Sequence, residues 1–250
     1  GVFYRAELEE LSADLARRGA RPYDAEALRT SIAVYNRLSA LVRELYQLRR
    51  DEPWLVPTAE LYCLLRAATI WPVEDAILHL ETYRDLVRAD ASRQPMDQAR
   101  VILAGSFCEQ PPLGLIKTLE RSGCYIVDDD FVQVHRWLVQ PVSTAGDPLD
   151  ALVSAFLHHA MDSPTRYCGE STKGVELVQR VEAAAAEGVL LCAPSFCDPA
   201  LLDQPRLTGA LDAAGIPHTS FKYSESSGQF QSIREQAGTF ADSVKLWGTA

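Results

Sequence analysis

The amino-acid sequence predicts an α/β fold in which a helical segment precedes a mostly parallel β-sheet. Two patterns support this prediction. From Leu8 to Val87, apolar residues recur at three- and four-residue spacing, which is the period of an amphipathic helix. After residue 98, short apolar runs alternate with helical patterns, as in strands joined by right-handed helical crossovers. The 250 residues, 47% of them hydrophobic, suffice to bury a continuous core.

Four helices are predicted in residues 1–98, which we call the helical segment. The first covers residues 5–18. The second begins after Asp24, whose carboxylate suits the N-cap position, and a long apolar stripe continues until Pro53 ends it. Thr58 is predicted to cap the third helix, and Pro72 to lie in the first turn of the fourth. These stripes predict core packing rather than a cofactor site.

A polar stretch at residues 91–98 has the composition of a linker, and residues 99–250 form the second predicted unit, the α/β unit. Its strands are the short apolar runs 101–104, 124–127, 189–193 and 218–221. Its helices are predicted at 113–122, 148–159, 171–186, 199–214 and 229–247. This order predicts a Rossmann-like or flavodoxin-like parallel sheet carrying the helical segment as an N-terminal extension.

The charge and cysteine content exclude several classes of partner. The formal net charge of −10 repels nucleic-acid backbones and acidic membrane surfaces, and no stretch approaches the ~18 apolar residues of a membrane span. The six cysteines are too sparse for a disulfide scaffold, so reduced thiols in a cytoplasmic compartment are expected. We therefore expect neither a nucleic-acid nor a membrane partner.

Two cysteines follow predicted strands, where ligands of open parallel sheets bind. The segments Ser106-Phe107-Cys108-Glu109 and Ser195-Phe196-Cys197-Asp198 place a thiol in the same relation to two strands. Asp198 suits the N-cap and Pro199 the first helical position, so the Cys197 thiolate would be stabilised by a helix N-terminus. Such a thiolate can ligate iron or attack carbon. The alternative for either residue is an inert buried cysteine, and it weighs more for Cys108.

Other polar positions offer weaker candidates. The acidic residues 128–130 could bind a cation or a ribose hydroxyl, or could simply cap a helix. Gln229 and Arg234, at the start of the last helix, could hold an anionic group, and a plain helix cap is the alternative. No phosphate-binding glycine motif is present, so ATP or NAD binding in the usual manner is not expected. The remaining strand and helix cysteines are predicted to be core: Cys63, Cys124 and Cys192.

Four sequence blocks together resemble one family. They are Gly105-Ser-Phe-Cys-Glu-Gln-Pro-Pro112, Gly123-Cys-Tyr-Ile-Val-Asp-Asp-Asp130, Ala193-Pro-Ser-Phe-Cys-Asp-Pro-Ala-Leu-Leu202 and Arg234-Glu-Gln-Ala-Gly-Thr-Phe-Ala-Asp242. The chain resembles the benzoyl-CoA reductase and 2-hydroxyacyl-CoA dehydratase family throughout its length, with particular likeness to the C (gamma) subunits of its ATP-dependent reductases.

The resemblance implies an oxygen-sensitive, hetero-oligomeric iron–sulfur enzyme of anaerobic aromatic degradation. Such an enzyme reduces the ring of benzoyl-CoA to a cyclic dienoyl-CoA with electrons from ferredoxin, while partner subunits hydrolyse ATP. Cys197, in the Phe-Cys-Asp-Pro element, is implied as a ligand of a [4Fe-4S] cluster. The resemblance also implies a fragment that lacks the family's first α/β domain, which supplies the other cluster cysteines, and that is inactive in isolation. Cofactor or acyl-CoA contacts at Cys108, Gln229 and Arg234 are instead inferred from their positions.

Two alternatives remain. The chain could act as an assembly and acyl-CoA-binding subunit while the active cluster belongs to a partner. It could also belong to a 2-hydroxyacyl-CoA dehydratase, although the blocks at 107–112 and 125–130 resemble the reductases.

Overall fold

The computed structural model describes residues 1–105, 111–161, 173–224 and 230–247. The helices in these ranges are α1 (Val2–Arg17), α2 (Ala25–Asp51), α3 (Thr58–Ala68), α4 (Val73–Ala89), α5 (Leu113–Arg121), α6 (Pro148–His158), α7 (Lys173–Ala183), α8 (Asp198–Ala213) and α9 (Gln231–Trp247). The strands are β1 (Ala99–Ala104), β2 (Cys124–Asp129), β3 (Gly188–Pro194) and β4 (His218–Tyr223). No helix in the described ranges is long and apolar enough to cross a membrane.

The four strands form one parallel sheet in the order β2-β1-β3-β4. This arrangement confirms the predicted α/β fold, and its order is the flavodoxin-like one. The chain passes from one side of β1 to the other between β2 and β3. Because the crossover direction changes there, β1 and β3 form the topological switch point, and ligands of such sheets bind in a crevice outside the carboxyl ends of these strands.

Both faces of the sheet are covered, because successive strand residues point to opposite sides. Val101 and Leu103 of β1 face α2, α3, α5 and α9, whereas Ile102 and Ala104 face α7 and α8. Residues buried on both sides explain why the strands read as continuous apolar runs rather than as alternating patterns.

The helical segment shares its core with the sheet. Leu45 of α2, Leu61 and Leu65 of α3 and Leu80 of α4 are fully buried in the same apolar cluster as Leu103. The packing is therefore continuous from the helical segment through one face of the sheet.

Helix α1 packs differently, since none of its residues is buried. It lies against α6, where the Tyr4 and Phe156 rings are 4.6 Å apart and Arg5 pairs with Asp147 at 2.9 Å. Leu11 and Leu15 remain exposed on its surface.

The starts of α3 and α4 differ from the caps that the sequence predicts. The N-cap of α3 is Pro57 and not Thr58, because the Thr58 side chain is buried against β2, where its hydroxyl donates to the Ile126 carbonyl at 3.2 Å. Its backbone N–H is satisfied instead by Glu120 of α5 at 2.6 Å. Pro72 is likewise the N-cap of α4 rather than part of its first turn.

The predicted cap of α2 is confirmed and supports a stability prediction. The Asp24 carboxylate accepts from the backbone N–H groups of Glu26 at 2.8 Å and Ala27 at 3.1 Å. Replacing Asp24 with alanine should lower the free energy of unfolding by ~1 kcal/mol, because both N–H groups lose their acceptor. Urea denaturation measures this loss. Asp24→Asn is the matched control that keeps an acceptor oxygen, and an equal loss in both variants would contradict the capping role.

Candidate functional site

The crevice at the switch point begins where the chain leaves β1. Gly105 follows this strand with φ of +99°, a left-handed conformation that favours glycine. A Cβ atom there would lie 3.2 Å from the Cys192 carbonyl oxygen of β3. The two strands therefore approach closely at their carboxyl ends, and only glycine fits without a shift of the backbone.

Cys197 lies at the same edge of the sheet, in the turn between β3 and α8. Its backbone N–H donates to the Pro194 carbonyl at 3.1 Å, and its carbonyl accepts from Leu201 N–H at 3.0 Å. Cys197 is itself the N-cap of α8, one residue earlier than predicted, so Asp198 lies in the first turn. The thiol is thus beside the N-terminus of a helix.

The turn directs its side chains in opposite directions. Cys197 is 5% exposed and packs among Ala193, Ala200 and Leu201, whereas Phe196 is 92% exposed. The turn is anchored to β4, because both the backbone N–H and the hydroxyl of Ser195 donate to the Tyr223 carbonyl, at 2.8 and 2.9 Å. Cys197 therefore has features of both predictions made for it: it lies at the carboxyl edge of the sheet, as a ligand would, and it is buried, as an inert cysteine would be.

The other described cysteines differ in position and chemistry. Burial raises the pKa of the Cys124 thiol to about 12, and it raises the pKa of Cys192 well above its ordinary value. Both are protonated core residues, as predicted. The prediction for Cys63 is wrong, because this residue is exposed while its neighbours Leu61 and Tyr62 face the core.

The predicted contacts at the other loops are only partly described. Cys108 and Gln229 lie outside the described residues. Arg234 lies in the first turn of α9, which follows β4 and so starts on the carboxyl side of the sheet. Its side chain is exposed, and its backbone N–H donates to the Phe230 carbonyl at 2.8 Å.

The acidic residues 128–130 bind arginines, contrary to both predictions made for them. Each of these carboxylates binds at least one guanidinium group rather than a helix N-terminus or an open cation site. Their partners come from α2, from the chain after β2 and from α7. We call this group the charge cluster, and its members are Arg49, Arg50, Arg136, Arg180, Asp128, Asp129 and Asp130.

Asp128 is the most heavily paired carboxylate of the charge cluster. It lies 2.9 Å from Arg136, 2.9 Å from Arg180 and 3.2 Å from Arg50. Burial alone would raise the pKa of its carboxyl, but the charges of these arginines outweigh burial and hold that pKa well below its usual range. The folded-state pKa is therefore depressed, so the pairs stabilise the fold above about pH 4 and weaken only as the pH falls further.

Asp129 joins the sheet to α2 entirely within the core. Its carboxylate accepts from Arg49 at 2.6 Å and from the Tyr46 hydroxyl at 2.9 Å, and the Arg49 guanidinium lies 4.4 Å from the centre of the Tyr46 ring. Burial raises the pKa of Tyr46 well above its ordinary value, which keeps the hydroxyl a donor. In the sequence, the sole sign of this contact is the Arg49-Arg50 pair that ends an apolar stripe.

The iron–sulfur cluster implied by the resemblance can be compared with this donor set. In the part of the chain that the structure describes, no three His, Cys, Asp or Glu side chains are grouped to hold a metal ion. A [4Fe-4S] cluster takes about four cysteine thiolates. Cys197 suits one of these ligand positions. The described part of the chain therefore fits one ligand of such a cluster, and the other ligands would come from other residues.

Comparison with known proteins shows similarity over nearly the whole chain. The sequence model of the family described as 2-hydroxyglutaryl-CoA dehydratase, D-component, matches residues 2–244. The benzoyl-CoA reductase C-subunit of Thauera aromatica is 51% identical over 250 residues, which cover 99% of this chain and 64% of that protein. The (R)-2-hydroxyglutaryl-CoA dehydratase subunit beta of Acidaminococcus fermentans is 27% identical, over 88% of this chain and 58% of that protein. Lactoyl-CoA dehydratase subunit beta of Anaerotignum propionicum is 22% identical, over 86% and 57%. The chain thus spans about three fifths of the length of these relatives.

Proposed function

This chain belongs to the 2-hydroxyglutaryl-CoA dehydratase D-component family, and from that premise we propose that it is a subunit of an iron–sulfur benzoyl-CoA reductase. The family resemblance inferred from the four sequence blocks is confirmed. The choice of reductase is supported by the 51% identity to the benzoyl-CoA reductase C-subunit, against 27% and 22% for the two dehydratase subunits. The reaction adds two electrons and two protons to the benzoyl-CoA ring and yields a cyclic dienoyl-CoA.

The position of Cys197 is the observation that carries the proposal. This thiol lies at the carboxyl edge beside the switch-point crevice and at the N-terminus of α8. We assign it as one ligand of a [4Fe-4S] cluster, which supplies single electrons at low potential when bound. Ala193, Ala200 and Leu201 pack around this residue and shield it from water.

The remaining parts of the enzyme are assigned to other residues and chains. Cys108 is proposed as a further cofactor contact, since it follows the end of β1 in the sequence. Gln229 and Arg234, near the start of α9, are proposed to contact cofactor or acyl-CoA, and the exposed Arg234 guanidinium suits a CoA phosphate. Residues other than those described would complete the cluster, partner subunits would hydrolyse ATP, and ferredoxin would donate the electrons. We expect the complex to be cytoplasmic.

Two other assignments remain as alternatives. In one, the chain shapes the acyl-CoA site while a partner holds the active cluster, which agrees with the single thiol that the described residues place at the carboxyl edge. In the other, the complex dehydrates a 2-hydroxyacyl-CoA, as the names of two relatives state for those proteins.

Substrate turnover separates these assignments. The complex containing this chain should be purified without oxygen and supplied with reduced ferredoxin and ATP. We expect benzoyl-CoA to be reduced at least ~100-fold faster than 2-hydroxyglutaryl-CoA is dehydrated, because a site that binds the aromatic ring does not also position a 2-hydroxyacyl group for dehydration. Faster dehydration would contradict the reductase assignment. Iron counting on this chain, separated from its partners without oxygen, would support the assembly role if no iron remained with it.

A further inference from the structure

A cavity of about 260 Å³ lies where the helical segment meets the 3₁₀ turn Gln133–His135, which follows β2. It is bounded by α2, by the end of α3 and the start of α4, and by this turn. We call it the aromatic cavity, and its lining includes Tyr35, Leu38, Ser39, Trp71, Val134 and His135. None of these residues has been assigned to the cluster or to acyl-CoA.

The apolar walls of the aromatic cavity are held in place but not covered. The Trp71 ring lies 4.5 Å from the His79 ring of α4, and the Trp71 backbone N–H donates to the Ala67 carbonyl at 3.1 Å. Tyr35 is 58% exposed and Val134 is 70% exposed at the rim. Because these side chains surround one concavity, an apolar ligand that entered it would be shielded from water together with them.

The lining of the aromatic cavity selects against charged ligands. No described residue of this lining carries a charge at neutral pH, since burial lowers the pKa of His135 and keeps its imidazole neutral. A charged ligand would lose hydration there without gaining an opposite charge. The neighbouring cavity between α2 and α4 differs, because Arg37, Glu74 and Glu81 are part of its lining.

His135 supplies a directional polar contact in this apolar lining. Its Nε2 lies 3.0 Å from the Leu65 carbonyl oxygen, which can only accept, so Nε2 carries the proton. The Nδ1 of the neutral ring therefore has a lone pair. Among the residues that the structure describes, this Nδ1 has no hydrogen-bond partner, and it is not fully buried. It can accept a hydrogen bond from a hydroxyl group bound in the cavity.

The size of the aromatic cavity matches one aromatic ring with a small substituent, because a cavity of about 150 Å³ is already enough for benzene. We propose that this cavity binds a small neutral phenol, whose ring packs against Trp71 and Tyr35 and whose hydroxyl donates to Nδ1 of His135. The inference does not rest on the proposed function, since it concerns binding and not turnover.

Three ligands that share one ring test this assignment. Phenol should bind the complex containing this chain with a Kd of about 0.1–1 mM, as measured by saturation-transfer NMR. Anisole keeps the ring but lacks the donor, so it should bind about tenfold more weakly. Benzoate is charged and should not bind measurably below about 10 mM. Equal affinities for phenol and anisole, or binding of benzoate as tight as that of phenol, would overturn the proposal.

Two substitutions on α2 locate the binding. Ser39→Leu extends a side chain into the aromatic cavity, whereas Ala33→Leu extends one into the neighbouring cavity. Phenol binding should weaken at least about tenfold in Ser39→Leu and stay unchanged in Ala33→Leu. Trp71→Ala removes an aromatic wall at an exposed position and should weaken binding as well.

The remaining outcomes decide against the proposal. Unchanged affinity in both Ser39→Leu and Trp71→Ala would place the phenol elsewhere in the complex. Binding to the separated chain but not to the complex would show that a partner side chain, and not a free ligand, occupies the aromatic cavity. Failure of the complex to reduce benzoyl-CoA would refute the proposed function and leave the binding result unaffected.

Discussion

Replacing Arg49 with methionine should lower the free energy of unfolding by about 3–5 kcal/mol, enough to unfold a marginally stable chain. Arg49 is 1% exposed and lies 2.6 Å from Asp129, which is equally buried. Methionine fills part of the space but leaves the Asp129 carboxylate in the core with Arg136 at 3.9 Å in place of the hydrogen-bonded Arg49. Chemical denaturation followed by circular dichroism would measure the loss.

Arg37 provides the matched control, because it lies on the same helix and also makes one ion pair. Its bond to Glu81 is 2.7 Å long, but the Arg37 side chain is largely exposed. Arg37→Met should therefore change the free energy of unfolding by less than about 1 kcal/mol. Adding Asp129→Asn to Arg49→Met should recover part of the stability, since the buried charge that has lost its close partner is removed while an acceptor remains for Tyr46. Equal losses in the Arg37 and Arg49 variants would show that the buried pair has no special role.

Replacing Cys197 with serine should leave the fold intact and abolish benzoyl-CoA reduction by the complex, lowering the rate at least about 100-fold. Serine keeps the size of the side chain. It is also a preferred N-cap residue, and Cys197 occupies the N-cap of α8, so the melting temperature should change little. The hydroxyl is a poor ligand for iron compared with a thiolate. Iron content should therefore fall together with activity.

Cys63→Ser is the control for this experiment. Cys63 is exposed on α3, in the helical segment, and so its replacement should change neither stability, iron content nor turnover. Electron paramagnetic resonance of the reduced complex would follow the cluster directly in both variants. Full iron content and full turnover in Cys197→Ser would contradict the ligand assignment.

Much of the fold follows from short-range patterns. The stripe from Ile32 to Leu48 predicted α2, and the apolar runs near Val101 and Leu190 predicted central strands, because the spacing of apolar residues is set by the periods of the helix and strand. The alternation of these elements predicted a parallel sheet. The location of Cys197 at the carboxyl edge followed from the same order, since a residue after a parallel strand must lie there.

Local sequence patterns did not predict the role of a residue where that role depends on which other elements pack against it. Thr58 was predicted to be a cap because its type suits one, but β2 covers its hydroxyl, and Glu120 from another helix satisfies its N–H. Cys63 lies in an apolar stretch, yet the rotation of α3 against the core directs it outward.

Residue spacing and chain direction were enough to predict the element order, the parallel sheet and the edge at which Cys197 lies. The role of the acidic residues 128–130 became evident only from the packing of the folded chain. Their partners Arg49, Arg136 and Arg180 come from separate elements, and nothing in residue spacing relates these positions to one another. A buried carboxylate must be paired, but which cation pairs with it depends on how α2 and α7 dock on the two faces of the sheet.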